Sequence, residues 1–346
     1  ILKKKKDNMN KKKLYWQLPF LLILIIGSIY IIAQQRSAPY QKDEGFIFGT
    51  VYHITYQNDN NLKQNIEAEL DKVNKTFSTF DSTSIISLIN QNKPVKINDM
   101  FAEIFDLSEE ISTETEGAFD ITVAPLVNLW GFGFKSGQKP TKEKIDSLRL
   151  LVGYNKVKLY ENGVKKKNPK IMLDCSAVAK GYGSDIVARY LREQGVKNFM
   201  VEIGGEIVTS GLSENRLPWK IGVTKPSDNK TDMNQEVETI LNVTDKAMAT
   251  SGNYRNFYYK GGKKYAHTID PKTGYPVQHS LLSATVLAKN CATADAYATS
   301  FMVMGVEKAE ALLEKHPELM AYFIYAGPKG ELKTWYSPSM KDKIAQ

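Results

Sequence analysis

Asp295 and Thr299 stand four residues apart in the run Asn290-Cys-Ala-Thr-Ala-Asp-Ala-Tyr-Ala-Thr-Ser-Phe-Met-Val-Met-Gly305. On a helix that spacing puts both oxygen-bearing side chains on one face. The surrounding alanines leave room for a second backbone, a phosphate or a metal ion. A carboxylate in so apolar a run must be paired, coordinated or protonated if it is buried. An Ala-rich core helix with one satisfied aspartate fits the segment as well as a metal site does.

Three further stretches carry chemistry. Asp174-Cys-Ser-Ala-Val-Ala-Lys-Gly-Tyr-Gly183 reads as a strand running through small residues into a helix, a phosphate-cradling arrangement with Lys180 at the helix start. It lacks the spaced glycines and Lys-Ser/Thr pair of a Walker A loop. Asp120, within Gly117-Ala-Phe-Asp-Ile-Thr-Val-Ala-Pro-Leu126, has small and aromatic neighbours suited to a planar ligand with one acidic hydrogen-bond acceptor. A helix cap ahead of Pro125 is the alternative for it. His267 lies between the hydroxyl-rich Ala247-Met-Ala-Thr-Ser-Gly-Asn-Tyr254 and the turn Asp270-Pro-Lys-Thr-Gly274, where a general base and a structural histidine are both open. Cys175 and Cys291, the only cysteines, belong to no CxxC or zinc pattern and read as two small buried residues.

The elements that must position these groups follow from periodicity. Gly45 to Tyr56 alternates like an opening strand with a break at Gly49-Thr50, and helices are expected over Leu62 to Phe77 and Met100 to Thr115. Ser82-Thr83-Ser84 caps another helix through Ile85, Leu88 and Ile89. Val157 to Tyr160 and Lys170 to Asp174 are expected to form a hairpin around Glu161-Asn162-Gly163. The Asn198 to Val208 strand is broken at Gly204-Gly205, and strands are expected at Trp219 to Val223, Glu236 to Val243, Met320 to Tyr325 and Leu332 to Trp335. The order predicts an α+β fold of mixed sheets with helices laid on one face.

At 346 residues, 42% hydrophobic and 24% charged, the chain has material for a substantial core. Its net charge of +8 is a tail effect: Lys3 to Lys6 and Lys11 to Lys13 face only Asp7, and residues 14–346 carry just +2. A nucleic-acid role is therefore not expected. Residues 14–33 hold no charge and are long enough to cross a bilayer, which predicts a basic cytoplasmic tail (1–13), a membrane anchor (14–33), a linker (34–44) and an outward-facing catalytic domain (45–340). A cleaved signal peptide is the competing expectation.

Eight collinear motifs now acquire a joint meaning: Phe-Gly-Thr-Val-Tyr, Ser-Thr-Phe-Asp, Gly-Ala-Phe-Asp-Ile-Thr-Val-Ala-Pro-Leu, Asp-x-Ser-Ala-Val-Ala-Lys-Gly-Tyr, Glu-Ile-Gly-Gly-Glu-Ile, Ala-Thr-Ser-Gly-Asn-Tyr, His-Thr-Ile-Asp-Pro-Lys-Thr-Gly-Tyr-Pro and Ala-Asp-Ala-Tyr-Ala-Thr. In sequence and succession, from Gly45 to Trp335, they resemble the ApbE family of flavin transferases. The resemblance implies a T-fold-like arrangement around a central FAD cleft and an enzyme that uses Mg2+. Such an enzyme moves the FMN half of FAD onto a threonine or serine hydroxyl in an Asp-Gly/Ser-x-Thr-type motif of an acceptor, releasing AMP. The implied acceptors are extracytoplasmic flavoprotein subunits of redox complexes, including sodium-pumping quinone reductases and Rnf-type complexes. That agrees with a domain outside the inner membrane. The implied metal ligands are Asp295, Thr299 and the Ala177 carbonyl, and the implied base is His267. FAD contacts fall to Phe48, Phe80, Ala118, Phe119, Asp120, Asp174, Lys180 and Ile269, with Phe80 standing where many relatives have tyrosine. The alternatives are a Mg-dependent FAD pyrophosphatase and a non-catalytic FAD-binding protein.

Overall fold

The computed structural model describes residues 17, 19–28, 38–134, 139–161, 163–227, 236–253, 257–260 and 263–345. The chain divides into two units, residues 1–40 with 58–60, and residues 41–57 with 61–346. In the first, helix α1 covers residues 19–28, and its apolar side chains from Phe20 to Ile26 are exposed. No helix among the described residues is long and apolar enough to cross a membrane. The rest of the expected 14–33 span, apart from Gln17, and the basic tail lie outside the described residues.

The large unit is built on an eight-stranded sheet. Its elements begin with β1 (Tyr40–Ile47), β2 (Thr50–Gln57), α2 (Lys63–Phe77), α3 (Ile85–Asn90), α4 (Asp99–Glu114), α5 (Ala124–Trp130), α6 (Lys142–Arg149), β3 (Val157–Tyr160) and β4 (Gly163–Lys166). Next come α7 (Ser176–Glu193), β5 (Phe199–Ile203), β6 (Glu206–Ser210), β7 (Trp219–Thr224), β8 (Val237–Val243), β9 (Ala247–Gly252), β10 (Phe257–Lys260) and β11 (Lys263–Ala266). The chain closes with β12 (Leu281–Ala288), α8 (Cys291–Met304), α9 (Val306–Leu313), β13 (Met320–Ala326) and β14 (Leu332–Tyr336). The sheet order is β1-β2-β5-β6-β9-β12-β13-β14, and β3-β4, β7-β8 and β10-β11 form separate pairs.

Every pairing from β2 to β14 in the sheet is antiparallel, which corrects the expectation of mixed sheets. Antiparallel neighbours need a connection that returns to the strand end it left. The two helices α8 and α9 supply such a return between β12 and β13. Two other expectations shift. The opening strand is a hairpin that begins at Tyr40, five residues inside the expected linker, because Asp43 is buried as the acceptor for Tyr56 Oη at 2.8 Å. Phe48 (φ 52°) and Gly49 (φ 76°) form its left-handed two-residue turn.

Gly163–Lys166, not Lys170 to Asp174, pairs with β3, since the nearest residues after a tight turn reach the first strand. Lys170 to Asp174 instead runs as an irregular segment. Asn90 serves as its neighbour, accepting from Leu173 N at 2.7 Å and donating to Leu173 O at 2.8 Å. This substitute ladder is what presents Asp174 at the start of α7.

α8 is apolar almost all round and packs between the sheet and α7, so it is a core helix rather than a surface one. Its free N-terminal amides are met from two directions. Asn290 caps Thr293 N at 2.9 Å, while Asp185 of α7 accepts from Cys291 N at 2.8 Å and Ala292 N at 2.8 Å. Burial pushes the Asp185 carboxyl up to about 6 against the pull of those amides.

Candidate active site

The two helices meet at a glycine. A Cβ on Gly181 would lie 2.4 Å from the Cys291 carbonyl oxygen and 2.9 Å from Asp295 Cβ, so only hydrogen fits there. This closeness lets the Gly181 N–H donate to Asp295 Oδ2 at 3.1 Å. In a regular α-helix that N–H serves the Ala177 carbonyl, so Asp295 draws on the donor belonging to the carbonyl expected beside it as a ligand. One turn along α8, Thr299 Oγ1 lies 3.1 Å from Ser251 Oγ at the end of β9.

Around this contact opens a cleft of about 390 Å³. Ten of the twelve residues expected at the site line it: Ala118, Phe119, Asp120, Asp174, Ala177, Lys180, His267, Ile269, Asp295 and Thr299. They come from segments spread over nearly two hundred residues of chain. The structure does not bring the other two to the cleft wall. Phe80 is 83% exposed, on the loop after α2. Phe48 sits at the β1–β2 turn with its ring over Gly183, where a Cβ would come within 2.5 Å of Cε2.

The electrostatics centre on Lys180. Its Nζ lies 2.6 Å from Glu206 Oε1, and Glu206 is 3% exposed at the start of β6. Burial works against the lysine's charge, but Asp295 and then Glu206 outweigh it and hold the ammonium protonated. Burial also pushes the Asp295 carboxyl up; Lys180 opposes the rise and Glu206 adds to it. Asp295 therefore sits where a further cation would stabilise its charged form.

Asp120, on the cleft wall, is held by three hydrogen bonds. Its Oδ1 accepts from Thr122 N at 2.8 Å and Thr122 Oγ1 at 2.6 Å, and Oδ2 accepts from Tyr154 N at 2.9 Å. It is not the cap of α5, whose N-cap is Val123. Its burial raises the carboxyl, with Thr122 and then Tyr154 pulling against it. Asp120 thus fixes the Ala118-to-Ile121 wall to the Gly153-Tyr154 turn. Asp174 similarly accepts from Ser176 N at 2.8 Å, shaping the first turn of α7.

His267 follows β11 and meets the Phe132 ring edge-on at 6.4 Å. The turn after it is pinned: Lys272 N donates to Asp270 Oδ1 at 2.8 Å, and Trp130 Nε1 donates to Gly274 O at 2.8 Å.

Glu206 and Ser251 also line the cleft, and no role is expected for them from the sequence although they fall within Glu-Ile-Gly-Gly-Glu-Ile and Ala-Thr-Ser-Gly-Asn-Tyr. The available signal is a glutamate placed directly before the apolar pair Ile207-Val208, a position that costs free energy if buried unless a cation answers it.

The chain is similar to known proteins along most of its length. The model of the ApbE family matches residues 48–323. An FAD:protein FMN transferase from Haemophilus influenzae is 37% identical over 326 residues, covering 89% of this chain and 93% of the relative. One from Vibrio cholerae is 37% identical over 312 residues, covering 86% and 92%. Among solved structures, the flavin transferase ApbE from Vibrio cholerae is 36% identical with a TM-score of 0.79, covering 88% of this chain and all of that one. The ApbE protein from Thermotoga maritima is 26% identical with a TM-score of 0.77.

Proposed function

The chain belongs to the ApbE family, and on that footing we propose that it is an FAD:protein FMN transferase, moving the FMN half of FAD onto a threonine or serine hydroxyl of an acceptor flavoprotein. The observation that carries the reading is the convergence of Asp295, Thr299, Lys180 and His267 on one cleft.

Among the described residues no cluster of three His, Cys, Asp or Glu side chains could hold a metal ion. The cleft offers a different set: the Asp295 carboxylate, the Thr299 hydroxyl and the Ala177 carbonyl, all hard oxygens on two tightly packed helices. That set fits Mg2+: these three oxygens would hold the ion, which would supply charge neutralisation at the pyrophosphate. Lys180, kept charged by its acidic neighbours, faces the same phosphates. His267 accepts the proton of the acceptor hydroxyl as its oxygen bonds the FMN phosphorus. The bond from that phosphorus to the AMP oxygen breaks, and AMP leaves with the electron pair. Asp120 and Asp174 hold the walls that orient FAD.

The exposed apolar residues of α1, behind a lysine-rich tail, support anchorage in the inner membrane with the catalytic unit outside it. This location suits acceptors that are extracytoplasmic subunits of redox complexes. The test is incubation with FAD and Mg2+, with and without such an acceptor, followed by a denaturing gel. Acceptor-dependent covalent flavin with equimolar AMP is expected. Release of free FMN and AMP without covalent flavin would make the protein a pyrophosphatase instead.

A further inference from the structure

His267 is carried by an excursion of the chain that leaves the cleft wall at Gly252, runs through β10 and β11, and returns to the wall at His267. Among the described residues these two strands pair with each other and with no strand of the main sheet. Contacts other than a sheet ladder must therefore fix where the excursion lies, and four stacked rings supply them. Phe132 stacks on Tyr258 with centroids 5.4 Å apart, Tyr258 on its cross-strand partner Tyr265 at 5.5 Å, and Tyr265 on Trp130 at 5.4 Å. The first ring of the stack, Phe132, is the one that meets His267 edge-on.

Both ends of the stack come from the end of one helix. α5 buries Leu126, Leu129 and Trp130 in a cluster with Ile269. Gly131 (φ 84°) then stops the helix: its N–H donates to Asn128 O at 3.0 Å, and that of Phe132 donates to Val127 O at 3.1 Å. The chain reverses there, so Phe132 joins the cleft wall while Trp130 is packed behind the wall against the cluster that holds Ile269.

Trp130 grips the His267 segment on both sides. Its indole lies on Tyr265, two residues before the histidine, and its Nε1 donates to Gly274 O at 2.8 Å, seven residues after it. The turn in between is closed by Gly274 N donating to Asp270 O at 2.8 Å and Asp270 N donating to Tyr275 O at 3.0 Å. A hold on Gly274 therefore reaches back to Asp270. An indole offers a wide apolar face and an N–H donor from one rigid unit; a phenyl ring keeps the first and loses the second.

We infer that Trp130 is a positioning residue for FMN transfer that acts through His267: by fixing Tyr265 on one side and Gly274 on the other, it sets where the imidazole stands in the cleft. The inference rests on the transferase reading and on His267 as its base.

The experiment is a double-mutant cycle on the full chain, with FAD, Mg2+ and a synthetic peptide carrying an Asp-Gly-Ser-Thr segment at saturating concentrations. Trp130→Leu is expected to lower kcat for covalent flavin formation about 10²-fold, as a displacement of about 1 Å does for a positioned group, and Trp130→Phe, which keeps a ring but no donor, about tenfold. The Kd for FAD should stay within about threefold in both, since the loss falls on the transfer step. In the His267→Ala background neither change should slow transfer by more than about twofold, because no imidazole is left to position. Equal slowing in both backgrounds, or parental kcat in Trp130→Leu, overturns the positioning role and leaves the transferase reading intact. If urea titration shows Trp130→Leu to be unfolded, Tyr258→Leu removes the middle of the stack and carries the same cycle with the same criteria. A parental rate in His267→Ala overturns the base assignment. Absence of covalent flavin with the parent protein and both peptide and whole acceptor overturns the transferase reading, and the positioning role falls with either.

Discussion

Gly181→Ala tests whether the helix contact sets the geometry of the site. The new Cβ would sit 2.4 Å from the Cys291 carbonyl oxygen, 2.7 Å from its carbon and 2.9 Å from Asp295 Cβ, where ordinary contact begins at 3.4 Å. The helices must therefore part by about 1 Å, and the obstacles are largely backbone. Alanine in a helix interior gains about 1 kcal/mol over glycine, and overpacking of this kind costs about 1–3 kcal/mol. Taking the upper half of that range for a backbone clash leaves a net loss of about 1–2 kcal/mol. The 3.1 Å bond from Gly181 N to Asp295 Oδ2 lengthens beyond hydrogen-bonding reach. Misplacing a positioned group by about 1 Å costs on the order of 10²-fold in rate. Urea unfolding and the initial rate of covalent flavin formation measure the two effects. An alanine variant as stable as the parent, transferring FMN at the parental rate, would refute the contact and the positioning argument together.

Asp295→Ala should reduce FMN transfer to background and weaken FAD binding in the presence of Mg2+; parental turnover in that variant would remove Asp295 from the metal site. His267→Ala should keep FAD affinity within a few-fold while slowing transfer about 10²–10⁴-fold, and a collapse of FAD affinity in titration would make His267 a binding residue. Asp185 gives a pH signature. Its carboxyl is raised to about 6 from an ordinary 3.8, so the folded state binds more protons between those values. Its stabilising contribution is full below about pH 4 and is lost as pH rises through 6, a change of about 3 kcal/mol. Urea unfolding from pH 4 to 7 should show that loss in the parent and a flatter profile in Asp185→Asn; parallel profiles would sink the assignment.

The legible parts of this chain were those with local causes. Helical periodicity at Ile66, Leu70 and Val73 gave α2, and Ser84 capped α3 by accepting from Ser87 N. Ten of the twelve residues that the family resemblance implies share one cleft, and motif order is what points to them. The features that are not legible in the sequence depend on distant partners. β1 was masked by charged residues, and Asp43 becomes an interior residue only because Tyr56 lies across the hairpin. The Lys170-to-Asp174 segment has strand-like residues but finds a side chain, Asn90, in place of a strand. Phe80 and Phe48 belong to motifs near the cleft in the sequence pattern, yet backbone turns direct both rings elsewhere. Glu206 gained meaning only beside Lys180, twenty-six residues earlier.

The junction of α7 and α8 also constrains the order in which the molecule can fold. The residues joined by the Gly181–Asp295 bond are 114 apart in the chain, and closing a loop of that length costs about 4 kcal/mol of entropy before any contact repays it. A chain emerging N-terminus first holds Gly181 and Asp185 of α7 without their α8 partners until residue 304 has been made. The N-terminal half alone therefore cannot assemble the cleft. A ligand of the cleft can stabilise only a chain that already extends through α8, which makes ligand capture a late checkpoint rather than a nucleus.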